Sequence, residues 1–249
     1  MTPMRWLLTV LILALPGAAM AQGLPALTMT EGEGGTTYSL SFQILALMTA
    51  LTVLPSIVLG MTAFTRIIIV LSILRQALGT QQTPPNQVLI ALALFLTFFV
   101  MQPTMTEFYE QALAPYLDGQ IPAEQAIQTG TAIIKEFLIE NTRQNDLMMF
   151  QQLAGDEPYA SQDEVPLSVL LPAFITSELK TAFQIGFLIF LPFLVIDMVV
   201  ASILMALGMM MLSPMLVSLP IKLLLFVLVD GWALTVGSLA ATYGVGVGG

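Results

Sequence analysis

Apolar positions in this chain gather into four long runs, with one wetter stretch between the second and the third. Residues 44–64 form the first run, interrupted at Pro55 and Gly60, and residues 67–74 prolong it beyond Arg66 as far as Arg75. "GTQQTPPNQ" then breaks the pattern, because Pro84 and Pro85 cannot sit inside a regular helix. Residues 88–101 are the second run, ending near Pro103, and residues 185–207 the third, with Pro192 and Asp197 inside it. Residues 223–241 are the fourth, with Asp230 near its start. Runs of this length read as helices able to cross a bilayer. The prolines predict kinked or broken ones, which lipid tolerates only where the freed backbone is covered by protein or lines a cavity. The expected class is all-α: kinked helical hairpins that pack around one another.

The middle stretch has a different character. Residues 106–166 hold 11 acidic residues against only Lys135 and Arg143. Within them "AIIKEFLIENTRQNDLMMFQQLA" repeats apolar residues at helical spacing: Ile134, Phe137 and Leu138, then Leu147, Phe150 and Leu153. A small, water-facing helical segment is predicted there. At the N-terminus, Arg5, a short apolar core over residues 6–15 and Ala19-Met20-Ala21 match a secretory signal with cleavage expected after Ala21; an uncleaved first membrane helix is the alternative. The expected organisation is a signal peptide at 1–21, a flexible Gly/Thr-rich leader at 22–42 and a first helical hairpin at 43–105. The acidic segment at 106–166, a second hairpin at 167–242 and a flexible tail at 243–249 follow.

Composition agrees with a membrane protein. The 249 residues are 57% hydrophobic and 9% charged, where a soluble domain carries roughly 25% charged residues. Mean hydropathy is +0.88. A net charge of −9 argues against nucleic acid as a partner, and the chain has neither cysteine nor histidine for thiol chemistry or imidazole ligation. Counting Lys and Arg beside the runs places Arg66, Arg75 and Lys222 on the cytoplasmic side and the acidic segment outside, with Lys180 against the scheme.

Few residues carry candidate chemistry. Glu178 and Lys180 precede the third run, Asp197 lies within it and Lys222 opens the fourth. A charge in hydrocarbon costs about 2.5–3.5 kcal/mol at a helix centre on insertion scales, so these groups must face protein, water or each other. Either they form static ion pairs that keep helices or subunits in register, or they belong to a proton path. The static reading is favoured, because a relay needs more titratable groups near Asp197. Asp197 and Asp230 could form an intramembrane carboxylate pair for acid/base work, but neither has a recognisable flanking motif. Met209, Met210 and Met211 link the third and fourth runs. They are either filler at a helix end or a pliable apolar tip beside a channel, where several copies close by excluding water. Pro214 disfavours helix at Ser213 and supports a loop.

The stretches "MTAFTRIIIVLSILRQALGTQQTPPNQVLIALALFLTFFVMQP", "FLIENTRQNDLMMFQQLA", "LLPAFITSELKTAFQIGFLIFLPFLVIDMVVASILMALGMMMLSP" and "LPIKLLLFVLVDGWALTVGSL" resemble the FliP family of flagellar export-gate proteins. The likeness covers roughly residues 42–242, and the injectisome component of the wider group is the alternative. The signal and the long acidic segment favour the flagellar branch. The resemblance implies a non-enzymatic, pore-forming subunit of the flagellar type III export gate in the inner membrane. About five copies would share a closed axis with FliQ-like and FliR-like subunits, near other export-apparatus membrane proteins. Unfolded flagellar subunits would pass through, and no cofactor is implied. It places Met209, Met210 and Met211 in a gasket around the pore and Glu178 and Lys222 at subunit contacts, with Asp197 as a third polar position. Reversing the charges of Lys222 and Glu178 together tests a direct contact. A proton-coupled small-solute transporter using Asp197 is the remaining reading.

Overall fold

The computed structural model describes residues 27–32, 35–40, 42–80, 82–209 and 212–244. The signal sequence, Met210, Met211 and residues 245–249 of the tail lie outside them. Contacts divide the chain at Pro55 into two units.

In the first unit, part of the leader forms an antiparallel hairpin of β1 (Leu27–Gly32) and β2 (Gly35–Leu40). Thr30 lies opposite Thr37 and Met29 opposite Tyr38. A flexible leader was expected from its glycine content. The β-branched and aromatic residues flanking the glycines favour extended backbone instead. Helix α1 (Phe42–Gly60) follows and keeps Pro55 inside it.

The second unit is helical. After the break at residues 61–63, α2 (Phe64–Ala77) runs to the Pro84-Pro85 link. Helix α3 (Asn86–Phe108) does not stop at Pro103 as expected; it carries the proline and passes into a π turn, Tyr109–Leu113, and the short α4 (Ala114–Leu117). The acidic segment thus grows directly out of the second apolar run. It continues with α5 (Ala123–Glu140) and α6 (Gln144–Ala154), the latter ended by Gly155 in the left-handed region at φ 76°. Helix α7 (Leu167–Ala206) is continuous for 40 residues, with Pro172 and Pro192 inside it. Helices α8 (Pro214–Leu228) and α9 (Gly231–Ala241) meet at a 63° bend. Asp230 supplies the left-handed residue at that bend, with φ 50°. Apart from the β1–β2 hairpin, the described residues form the all-α, membrane-class protein that the periodicity predicts, with apolar helices long enough to span.

Three apolar clusters hold the second unit together. Ile67, Val70 and Leu71 of α2 pack with Leu89 and Ala93 of α3, Ala182 of α7 and Leu239 of α9. Phe137 and Leu138 of α5 pack with Leu170 and Phe174 of α7, which ties the acidic segment to the apolar helices. Leu74 and Ala77 meet Phe193 of α7 and Phe226 of α8. Helices α2 and α7 pack tightly at Gly186, where an added Cβ would stand 2.4 Å from Ile73 Cδ1 and 3.1 Å from its Cβ.

Gly186→Val is expected to destabilise the protein by about 2 kcal/mol through overpacking. Ile73→Ala in the same chain should restore part of it. Thermal unfolding of the purified protein in detergent measures both; an unchanged midpoint in Gly186→Val contradicts the close packing.

Candidate functional site: two buried charge networks and the methionine turn

Arg66 sits in the first turn of α2 and is 4% exposed, and Glu178 lies on α7 with no exposed surface. Arg66 Nε donates to Glu178 Oε2 at 2.9 Å and Nη2 donates to Oε1, so the guanidinium and carboxylate meet as a two-bond fork. Arg66 Nη1 donates to Thr242 Oγ1 at 3.0 Å. Tyr243 closes the network twice: its hydroxyl donates to Glu178 Oε2 at 2.5 Å, and its ring lies 3.9 Å from the guanidinium carbon. The same ring stacks on Phe137 of α5, with centroids 6.3 Å apart and planes 13° apart. Burial first, and then the Glu178 charge, push the Tyr243 phenol far above its usual range, so it remains a donor at any physiological pH.

The second network links α2, α7 and α8. Lys222 is 3% exposed and donates to Asp197 Oδ2 at 2.6 Å and to the Ala77 carbonyl oxygen at 3.1 Å. Ala77 is the last residue of α2, where unpaired carbonyls and the helix dipole favour a cation. Ser218 Oγ donates to Asp197 Oδ1 at 2.6 Å, so both carboxylate oxygens have partners. One further contact, Lys180 Nζ to Asp146 Oδ1 at 3.7 Å, joins α7 to α6.

These geometries revise several expectations. Glu178 and Lys222 do not contact each other within the chain; Glu178 belongs to Arg66 and Lys222 to Asp197. The physical reason is burial, since a charge enclosed by its own helices must find its counter-ion there. Arg66 was counted as a charge of the cytoplasmic link. It is instead neutralised by Glu178 beside a ring that stacks on the acidic segment, so it says nothing about orientation. Asp197 is occupied by a lysine and a serine, while Asp230 stands exposed at the helix bend. Tyr243, first residue of the expected flexible tail, is half-buried and packed.

Sequence reading missed Arg66, Tyr243, Thr242 and Ser218 as partners. The usable signal was Arg66 itself, a single cation inside an apolar run, which requires a counter-charge at that depth. Among the described residues between α7 and α8, Leu212 and Ser213 lie outside helix, as Pro214 predicts. Gly208 has φ 72°, Ser213 is extended with ψ 119°, and Met209 is 43% exposed.

A profile described as the FliP family matches residues 47–239. The chain belongs to the FliP family. A flagellar biosynthetic protein FliP of Cereibacter sphaeroides is 80% identical, with 93% of this chain and 81% of that one aligned. The protein of the same description from Pectobacterium carotovorum subsp. carotovorum is 53% identical over 96% of this chain and 93% of its own. That from Bacillus subtilis (strain 168) is 54% identical over 82% and 93%. Family and composition together make this a membrane-class chain of flagellar biosynthesis.

Glu178→Ala leaves a buried guanidinium without its carboxylate and should cost about 3–5 kcal/mol, while Arg66→Met with Glu178→Met should recover at least half, since a buried pair can often be replaced by apolar groups. Tyr243→Phe keeps the ring contacts and should lose about 1 kcal/mol. Unfolding midpoints of the purified protein rank the three; equal loss in Glu178→Ala and in the double variant contradicts the pairing. A charge swap tests the second network. Lys222→Asp should abolish assembly in a pull-down, with part of it returning when Asp197→Lys is added. Pairing Lys222→Glu with Glu178→Lys should return none.

Proposed function

We propose that this chain is a non-enzymatic, pore-forming subunit of the flagellar type III export gate. Several copies, about five in a closed ring, surround a channel together with FliQ-like and FliR-like subunits. Unfolded flagellar subunits pass through it across the inner membrane, and the acidic segment faces the periplasm.

The length of the exposed apolar surface on α7 carries this reading. Ile175, Phe183, Phe187, Leu188, Val195 and Ile203 are exposed on the way to Met205, interrupted by exposed Lys180, Gln184 and Ser202, of which the first two turn to Asp146 and Arg143 of the acidic segment; Ile175 to Met205 spans about 45 Å of helix. A bilayer's hydrocarbon core is about 30 Å thick. A tilt of about 40°, the top of the usual range, still projects this length over about 35 Å. Lipid covers part of it, so the remainder needs other protein, because large apolar patches do not stay in water. Neighbouring copies and sister subunits supply that cover when the helices stand partly above the bilayer. Each protomer's buried charges are already paired internally, which leaves the outer faces apolar and suited to close packing between copies.

In this reading Met209, Met210 and Met211, in the link between α7 and α8, form a gasket at the common axis. Thioether side chains deform around a moving chain and close by excluding water.

Replacing Met209, Met210 and Met211 with glycine should leave the complex assembled and raise small-ion leakage through it at least about tenfold, as expected when a hydrophobic constriction is removed. Dye or ion efflux from cells making the variant gate, alongside its native mass, measures this. An assembled variant with unchanged leakage contradicts the gasket.

A further inference from the structure

Two charges are left over when the networks of Arg66 and Lys222 have closed. Arg66, Arg75, Asp197, Lys222 and Asp230 lie in the four apolar runs or at their ends. Arg66 is taken by Glu178, and Lys222 and Asp197 take each other. Arg75 and Asp230 remain, one of each sign. Arg75 Nη1 donates to the Pro84 carbonyl oxygen at 3.2 Å and to Asn86 Oδ1 at 2.6 Å, both neutral. Its Nε is buried with no acceptor among the described residues. Asp230 is exposed at the bend between α8 and α9, beside Val227 and Leu228, each 74% exposed. Among the described residues it joins no salt bridge, and its side chain does not cap α9. Its backbone is left-handed, at φ 50° and ψ 53°, where glycine is the unstrained residue. A carboxylate is kept there at a conformational cost.

The two residues stand at one level of the helix packing. Phe226 of α8 packs against Leu74 and Ala77, which bracket Arg75 on α2. The same ring lies against Gly231, where a Cβ has no room, and against Trp232, with ring centroids 5.5 Å apart. Asp230, next to Gly231, therefore adjoins it too. Yet no ion pair joins Arg75 to Asp230 within the chain. Rotation about an axis along the membrane normal preserves depth, so charges level in one copy are level across the boundary between two. A lipid phosphate beside Arg75 would leave Asp230 alone among apolar side chains, where an unpaired charge is costly. A head-to-tail contact between copies satisfies both charges with residues of this chain.

We propose that Arg75 of one copy pairs with Asp230 of the next around the ring, so that an ion pair closes each boundary between copies. This rests on the ring proposed above and names the charges that set its head-to-tail order.

The test reads the native mass of the complex purified from cells beside the unfolding midpoint of the chain in detergent. Asp230→Gly suits the left-handed backbone, so the midpoint should hold while the assembled fraction falls at least about tenfold. Asp230→Arg should lose as much assembly, and adding Arg75→Asp to it should return part. A photoreactive residue in place of exposed Val229 keeps both charges and should cross-link in cells to residues 75–86 of a second copy, located by mass spectrometry. Wild-type assembly in Asp230→Gly overturns the pairing, as does a double variant that folds but recovers nothing. A cross-link from position 229 that reaches only lipid, its own chain or a different protein overturns it as well. If the wild-type complex still holds several copies, such results remove the ion pair and leave the ring. A wild-type complex with a single copy of this chain removes both.

Discussion

A charged side chain enclosed among apolar helices must have a counter-charge within reach, and that constraint organises this fold. Arg66 and Glu178 are both nearly sealed from solvent, and their two-bond contact joins the start of α2 to the N-terminal third of α7. Lys222 and Asp197 join α8 to α7 and, through the Ala77 carbonyl, to the end of α2. Helix α2 is therefore held at both ends by ionic contacts to or beside the same long helix, with the apolar contacts of Ile67, Val70 and Leu74 between them. Buried pairs of this kind add little net stability over apolar replacements, but breaking one is costly, so they fix which helices sit together.

Tyr243 extends that logic beyond the apolar helices. Its hydroxyl serves Glu178 and one ring face serves Arg66, while Phe137 of the acidic segment stacks on the same ring. One residue near the C-terminal end thus connects an ion pair to the segment assigned to the periplasm in the proposed topology. Phe137 is packed in turn against Phe174 of α7, so α5 is anchored by aromatic contacts and not by charge. Once these internal demands are met, what remains on the outside of α3, α7 and α8 is apolar: Phe95 and Phe98, Phe187 and Leu188, Val227 and Leu228. Such a surface asks for lipid or for other protein, and the proposed gate assembly is the arrangement that supplies both.

Much of the secondary structure was legible from periodicity and breakers. The Pro84-Pro85 link, the loop before Pro214 and the helices around Phe137 and Phe150 follow directly from residue type. Less legible were features set by tertiary contact. Pro55, Pro103 and Pro192 predicted kinks or breaks, yet each is carried inside a helix. The charge partners were harder still. Glu178 and Arg66 are 112 positions apart and Glu178 and Tyr243 are 65 apart, and no local spacing links residues so distant. Counting Arg66 as a topology marker treated it as solvated, whereas its position one turn into an apolar helix demanded pairing. The family resemblance was legible because long ordered motifs run through residues 47–239, the span that the family profile matches.

The central claim is that the exposed apolar surface wound along α7 is too long for lipid alone and is covered in part by neighbouring chains. Nitroxide labels placed one at a time at Leu179, Phe187, Val195 and Ile203, on a chain with no native cysteine, report lipid, water or protein around each site in the assembled complex. Oxygen accessibility, high in lipid, should be high at some of the four labels, while the others are shielded from both oxygen and water-soluble relaxers. Lipid-like accessibility at all four positions would contradict the account.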